Sequence, residues 1–168
     1  PQPSRKNRTP MNDTELQTPD TPAPRPAVEI WTDGACAGNP GPGGWAAILC
    51  QDSEERMLTG SAPWTTNSRM ELTAALEALK ALPHPSRVTV RSDSQYLVRG
   101  MNEWMGNWLL RGWRTAGGKP VEDRDLWEAL MRASAHQLVT WVWVKGHAAD
   151  PMNRRVDRMA VAACNRQA

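Results

Sequence analysis

Four acidic residues occur where a folded chain could bring them together. Asp33 and Asp93 each follow a short apolar run. Glu71 and Asp157 share predicted helix faces with small or apolar residues, so these faces should be turned inward. A carboxylate on an inward face costs free energy unless it is paired or bound to a metal ion. The four acids are therefore candidate metal ligands.

Simpler structural roles are open for each of these acids. Asp33 precedes a glycine, which is typical of a turn. Glu71 lies three residues after Ser68, a spacing that allows a capping box at a helix start. Asp93 could cap the helix that follows it. Each role would explain one acid without any chemistry.

Asp157 could likewise form an ion pair with Arg154 or Arg158 on its own helix. Four unrelated roles would nevertheless leave the gathering of four acids in one small domain unexplained. Like carboxylates repel one another, so a cluster makes sense mainly when divalent cations neutralise it. Oxygen ligands favour hard ions, above all Mg²⁺, and two ions about 4 Å apart can activate a water and stabilise the leaving oxygen of a phosphodiester. The acids therefore predict nuclease chemistry.

The pattern of apolar residues indicates the elements that would hold these acids. Three apolar or alternating runs separated by turns predict antiparallel strands over 27–31, 44–50 and 55–62. Helical spacing and a following proline predict a helix over 68–82. Further along, the sequence predicts a strand at 87–92, a helix from about 94, a helical stretch at 123–137, a strand at 138–145 and a helix at about 152–165. The order β-β-β-α-β-α-β-α predicts an α/β fold with a mixed sheet and helices on its faces.

The first 26 residues differ in composition from the rest of the chain. They contain seven of the fourteen prolines, no aromatic residue and only two large apolar residues. Such a segment cannot bury enough surface to fold, so we predict a disordered tail over 1–26 and one domain over 27–168. The tail lacks the apolar core of a secretory signal, and no stretch is long and apolar enough to span a membrane.

Net charge says little about the binding partner of the domain, whereas cysteine content bears on its cellular compartment. The domain carries sixteen basic against fifteen acidic residues, so a nucleic-acid partner has to be argued from local patches. Three cysteines in a chain of this size form no disulfide framework, which favours a reducing compartment. We predict a cytoplasmic protein without a membrane partner.

Several motifs together resemble bacterial ribonuclease HI. They are "TDGACAGNPGPGGW", "TTNSRMEL", "SDSQYL", "RGWRTAGGKPV", "DLWEAL" and "WVKGHAADPMNRRVD". The resemblance covers roughly residues 27–165 in the family's order. It implies the ribonuclease H-like fold, a five-stranded sheet with three antiparallel and then parallel strands and helices on both faces. It also implies a monomeric endonuclease that cuts the RNA strand of RNA/DNA hybrids and leaves 5′-phosphate and 3′-hydroxyl ends.

The resemblance assigns roles to individual residues. Asp33, Glu71, Asp93 and Asp157 match catalytic carboxylates that bind two Mg²⁺ ions, with Mn²⁺ as a substitute, and Asp33 would bridge both ions. His147 would assist proton transfer or product release. The positions that match substrate contacts are Cys36, Asn39, Asn67 and Gln95 for the minor groove, Thr66 for a DNA-strand phosphate, and Trp104 for a strand-binding protrusion.

The segment 99–119, called the protrusion below, departs from the family pattern. It holds four basic residues, one acid and three tryptophans, which fits strand binding, the packing of a helix pair, or both. Leu109 and Leu110 stand where the family often has lysines. Asp123 stands where many members have an asparagine that holds the DNA phosphate, and Trp64 replaces an arginine of some members. The resemblance therefore predicts a weakened hold on the DNA strand.

Two other classes of protein remain as alternatives. A hybrid-binding module without catalysis would share the fold but should lack at least one carboxylate, and none is missing. A DNA strand-transfer enzyme of the integrase type would share the sheet and the acids. It would not need motifs such as "TTNSRMEL" or "KGHAAD".

Overall fold

One sheet of five strands forms the centre of the structure, a computed structural model that describes residues 24–146 and 150–167. The strands are β1 (Ala27–Cys36), β2 (Gly41–Gln51), β3 (Glu54–Thr65), β4 (Arg87–Ser92) and β5 (Leu138–Trp143). Their order across the sheet is β3-β2-β1-β4-β5. The first three strands pair antiparallel, whereas β4 is parallel to β1 and β5 is parallel to β4. The predicted mixed sheet is confirmed.

Five α-helices in the described ranges connect and cover the strands. They are α1 (Asn67–Lys80), α2 (Gln95–Arg99), α3 (Met105–Leu110), α4 (Arg124–Ser134) and α5 (Pro151–Asn165), and a π-helical turn at Gly100–Trp104 joins α2 to α3. All predicted helices are present. The stretch predicted at 123–137 is shorter at both ends, because Asp123, in a left-handed conformation (φ 57°), is the N-cap of α4 and Ala135 is its C-cap.

The first two strands run further than the apolar pattern predicted. The ladder between β1 and β2 continues through the glycine-rich segment until Cys36 pairs with Gly43. Glycines weaken the sequence signal of a strand, but they do not prevent backbone pairing when a neighbouring strand is in register. Asp33 therefore lies within β1 rather than in a turn, which corrects the simpler role considered for it.

Alternate residues of β2 show that the sheet is covered on both faces. Ala47 and Leu49 face the larger core, which α1 and the helices between β4 and β5 complete. Ala46 and Ile48 face the opposite side and pack against α5. The period of two along a strand thus sends neighbouring apolar residues into two separate layers.

The predicted boundary between tail and domain is only partly within the described residues. Residues 1–23 and 147–149 lie outside them, so the predicted disorder stays a prediction, and so does the position of His147. The described residues 24–26 lead into β1, where the Pro26 carbonyl accepts a hydrogen bond of 2.8 Å from the Arg87 amide. Among the described helices, none is long and apolar enough to cross a bilayer.

Candidate active site

Three of the four predicted acids meet where the inner strands β1 and β4 approach the start of α1. Asp33 lies on β1, Glu71 on α1 and Asp93 directly after β4, and one carboxylate oxygen from each lies within 4.8 Å of the others. Asp157 on α5 lines the same pocket of about 180 Å³. The structure thus brings together four residues from four elements that are distant in sequence.

A close approach of β1 to α1 makes this arrangement possible. A Cβ atom at Gly34 would lie 2.5 Å from the backbone nitrogen of Glu71 and 2.7 Å from the Met70 carbonyl carbon. Only glycine leaves room for the strand to run against the start of the helix. The Gly34 amide also donates a hydrogen bond of 2.8 Å to Oδ1 of Asp33, which fixes that carboxylate. The glycine after Asp33 therefore serves the acid site.

Burial and mutual repulsion dominate the electrostatics of the pocket. Burial, followed by the charge of Asp93, raises the pKa of Asp33 to about 8. Burial and the charges of Asp33 and Asp93 also raise the pKa of Glu71 well above its usual value. Within the described residues, neither Asp33 nor Glu71 forms an ion pair with lysine or arginine. The two side chains are thus buried acids that have no ion-pair partner in the described part of the chain.

The donor set of this pocket fits a hard divalent cation. Oε2 of Glu71 is buried and has no hydrogen-bond partner, although such an oxygen normally finds one. Carboxylate oxygens are the ligands that Mg²⁺ and similar ions prefer, and a bound cation would satisfy this oxygen and offset the repulsion.

The simpler roles considered for Glu71, Asp93 and Asp157 are wrong. The N-cap of α1 is Thr66, whose hydroxyl accepts from the Arg69 amide at 3.1 Å, so Ser68 and Glu71 form no capping box. Ser94, rather than Asp93, caps α2. Within the described residues, Asp157 makes no ion pair with the arginines of its own helix.

Four predicted substrate contacts lie where β1 and β3 meet the start of α1. Oδ1 of Asn39 accepts a hydrogen bond of 2.9 Å from the Asn67 amide. The Cys36 thiol donates to the Thr65 carbonyl at 3.5 Å, one residue before Thr66. Asn39 and Asn67 are exposed, and Cys36 and Thr66 are half-buried. These contacts join the four residues into one surface.

Gln95 and Trp104 lie on the helical segment that follows Asp93. Gln95 is exposed at the first position of α2, two residues from Asp93. Trp104 is half-buried, and its ring centroid lies 5.8 Å from that of Trp108. Trp108 and Trp113 are buried in the core, so the packing role considered for the tryptophans is confirmed for these two. Strand binding by Trp104 stays a prediction.

Of the residues that depart from the family pattern, three are exposed to solvent and one is held by other side chains. Leu109 and Leu110 are 48% and 87% exposed, and Trp64 is 72% exposed. Asp123 is instead held by Arg69, whose Nη1 lies 3.2 Å from Oδ1 of Asp123, and by the Tyr96 hydroxyl at 2.9 Å. Sequence reasoning missed these partners of Asp123 because they lie 54 and 27 residues away.

Sequence reasoning also missed a polar residue in the pocket itself. Asn153 lies one helical turn before Asp157 on α5 and lines the pocket with the acids. Residues four apart share a helix face, so this spacing was an available signal.

The fold and the pocket define a metal-dependent nuclease with the ribonuclease H-like architecture. A family model described as RNase H matches residues 25–165. The chain therefore belongs to the RNase H family, whose members are endoribonucleases.

Curated relatives agree with this assignment over most of their length. The chain is 53% identical over 133 residues to a ribonuclease H of Bordetella pertussis, covering 79% of this chain and 86% of that one. It is 53% identical over 148 residues to a ribonuclease H of Thermus thermophilus, covering 88% and 89%.

Solved structures share the fold. A type 1 RNase H with the type 2 active-site motif, LC9-RNase H1, has a TM-score of 0.78 and 32% identity, covering 88% of this chain and 76% of that one. LC11-RNase H1, solved in complex with an RNA/DNA hybrid, has a TM-score of 0.66 at 21% identity and covers 83% and 97%. At this lower identity the likeness concerns the fold alone.

Proposed function

We propose that this chain hydrolyses the RNA strand of RNA/DNA hybrids endonucleolytically and leaves 5′-phosphate and 3′-hydroxyl ends. Membership of the RNase H family supports the reaction and the substrate class. The observation that carries the proposal is the meeting of three carboxylates within 4.8 Å, two of which are buried and have no ion pair with any described lysine or arginine. Such a site is stable in its charged form only when positive charge enters it.

In this proposal, Asp33, Glu71, Asp93 and Asp157 hold two Mg²⁺ ions, and Mn²⁺ can replace them. When bound, the ions activate a water molecule and stabilise the leaving oxygen of the phosphodiester. Asp33 has the most central place, because the acids that perturb its pKa include both Asp93 and Asp157. His147, which lies outside the described residues, assists proton transfer or product release.

The surface beside the pocket would hold the hybrid. Cys36, Asn39, Asn67 and Gln95 contact the minor groove, where the 2′-hydroxyl distinguishes RNA from DNA. Thr66 contacts a DNA-strand phosphate, and Trp104 lies along the strand. The exposure of Asn39, Asn67 and Gln95 supports this assignment, because their amide groups are open to a ligand.

A comparison of substrates tests the proposal. Purified protein is incubated with Mg²⁺ and an RNA/DNA hybrid, duplex DNA or duplex RNA of the same sequence, and the ends of the products are analysed. We expect cleavage of the RNA strand of the hybrid alone, with a 3′-hydroxyl on the upstream product. Binding without cleavage would favour the hybrid-binding module, and joining of DNA ends would favour a strand-transfer enzyme. We further propose a monomer that acts in the cytoplasm, which size-exclusion chromatography and fractionation of cells would test.

A further inference from the structure

Asn153 is a buried polar residue that none of the functions described above uses. It lies near the start of α5, is only 2% exposed, and lines the same pocket as Asp33, Glu71, Asp93 and Asp157. Its Oδ1 atom is buried and accepts no hydrogen bond. A buried amide oxygen without a donor costs free energy, so such atoms in folded proteins normally have a partner.

The backbone of Asn153 has a structural role that its side chain does not share. Its amide nitrogen lies 3.4 Å from Oδ1 of Asp150, the N-cap of α5. This contact needs no side chain at position 153. The amide oxygen therefore has to be explained by the pocket that it lines.

The chemistry of the pocket limits what the partner can be. The side-chain oxygens of the four acids accept hydrogen bonds when ionised, as does Oδ1 of Asn153. Arg154 also lines the pocket, but its guanidinium does not donate to Oδ1 of Asn153. A species that satisfies Oδ1 and fits among carboxylates must donate hydrogen bonds without carrying negative charge. Water that enters with a hydrated cation meets both conditions.

We propose that Asn153 is a positioning residue, whose Oδ1 accepts a hydrogen bond from a water molecule in the acidic pocket beside Asp157. The inference rests on the proposed function and deepens it. An amide is suited to this place because it accepts a hydrogen bond without a further negative charge, which would raise the pKa values of the acids again. Asn153 thus orients water while the four acids carry the charge.

Two substitutions separate this role from a purely structural one. Asn153→Leu keeps the approximate volume and removes the acceptor, whereas Asn153→Asp keeps an acceptor oxygen and adds a charge. Asn165→Leu is the matched control, because Asn165 is exposed at the other end of the same helix. Steady-state cleavage of the hybrid gives kcat and KM. The Mg²⁺ concentration that half-saturates the rise in Tm gives a readout independent of turnover.

For Asn153→Leu we expect kcat to fall about 10- to 100-fold, as is typical when a group that orients ligands around a metal is lost, with an unchanged KM. The half-saturating Mg²⁺ concentration should rise, and Tm in the absence of Mg²⁺ should stay the same or increase. Asn153→Asp should keep more of kcat than Asn153→Leu and should lower the half-saturating Mg²⁺ concentration. Asn165→Leu should match the wild type in all of these measurements.

Two results would overturn the inference. One is wild-type kcat and Mg²⁺ dependence in Asn153→Leu. The other is an equal loss of Tm and kcat in both variants, which would make Asn153 a packing residue. Failure of the proposed function is distinguishable, because the wild type would then not cleave the hybrid. The Mg²⁺ dependence of Tm would still report whether Asn153 faces the ions.

Discussion

The first turns of α1 carry residues that belong to two groups of acids, one of which is ion-paired with an arginine while the other contains buried acids without an ion pair among the described residues. Glu71 joins Asp33 in the acidic pocket, where burial and neighbouring charges raise the pKa values of both residues. Arg69, two residues earlier, forms ion pairs with two other acids. Its Nη1 lies 3.2 Å from Oδ1 of Asp123, and its Nη2 lies 2.7 Å from Oδ2 of Asp125. Hydrogen bonding to Arg69 lowers the pKa of Asp125. Residues two apart on a helix point in nearly opposite directions, so one helix serves both groups.

The comparison separates acids whose charge is compensated within the protein from acids whose charge is not. The group around Arg69 is compensated within the protein, and Tyr96 ties Asp123 to the core through a hydrogen bond of 3.2 Å from the Trp127 indole. The acidic pocket contains no comparable compensation for Asp33 or Glu71 among the described residues. Since Arg69 pairs with Asp123, the repulsion of a DNA phosphate by Asp123 should be weaker than its sequence position alone suggests.

The largest expected difference between the two groups is in catalysis. Asp33→Asn should reduce cleavage of the hybrid by at least about 10³-fold, because it removes one of the proposed metal ligands from the site where the reaction would occur. Hybrid binding should survive, since the surface around Asn39 and Asn67 is unchanged. The matched control, Asp125→Asn, should cleave within about threefold of the wild type. Equal activity of the two variants in Mg²⁺ would show that the pocket acid Asp33 is no more important for cleavage than the ion-paired Asp125.

The pH dependence of stability should also separate the two groups. The pKa of Asp33 is 3.8 in its reference state and about 8 in the folded protein, so the folded protein binds more protons between these values. Without divalent cations, the free energy of unfolding should therefore fall as pH rises from 5 to 8. At pH 8, urea unfolding should give Asp33→Asn a free energy of unfolding about 1–3 kcal/mol higher than that of the wild type.

Asp125→Asn is the control for the pH dependence of stability, because the pKa of Asp125 is shifted in the opposite direction from that of Asp33. The folded pKa of Asp125 is lowered, so its contribution is present above its unfolded pKa and is lost only at acidic pH. Between pH 5 and 8 its substitution should leave the slope of stability against pH unchanged. A steeper loss of stability in Asp125→Asn than in the wild type over this range would contradict the assignment.

Loss of the cation in the compensated group should have a smaller, structural effect. Arg69→Gln leaves Asp123 and Asp125 without their ion pairs and should lower the free energy of unfolding by about 1–2 kcal/mol. Arg69→Lys restores the charge but not the paired geometry, so its loss should be intermediate. Urea unfolding at pH 7 measures both. If Arg69→Gln were as stable as the wild type, the ion pairs would have no structural role.

The smallest expected effect concerns the exposed leucines of the protrusion. Leu109→Lys/Leu110→Lys should steepen the fall of log affinity for the hybrid with log salt by roughly 0.7 to 0.9 per new phosphate contact. KM should fall more than kcat rises, because the protrusion lies outside the acidic pocket. Tm should change little, since both side chains are largely exposed.

Leu138→Lys is the control for added charge, because Leu138 is 57% exposed at the start of β5, outside the protrusion. It should leave the salt dependence nearly unchanged. An unchanged slope together with a lowered Tm in the double variant would show that the leucines stabilise the protrusion instead of limiting its charge.

Local patterns in the sequence were sufficient to predict the elements and the acids. Alternation and helical spacing depend on residues within one element, so they predicted five strands and the helix that carries Glu71. Several motifs in a fixed order identified the family, because such a combination rarely arises by chance. Even so, the glycine-rich part of β1 was underestimated, since its strand character comes from pairing with β2.

Contacts between distant elements were decided only by the tertiary structure. Nothing near Arg69 in the sequence indicates that Asp123 and Asp125 neutralise it, because α1 and the start of α4 meet only through packing of the helices. Nor does the sequence show that the amide oxygen of Asn153 lies buried and unpaired beside the acids. Burial and charge compensation depend on every element around a side chain, so the same residue type becomes an ion-paired anchor in one place and a buried acid with a raised pKa in another.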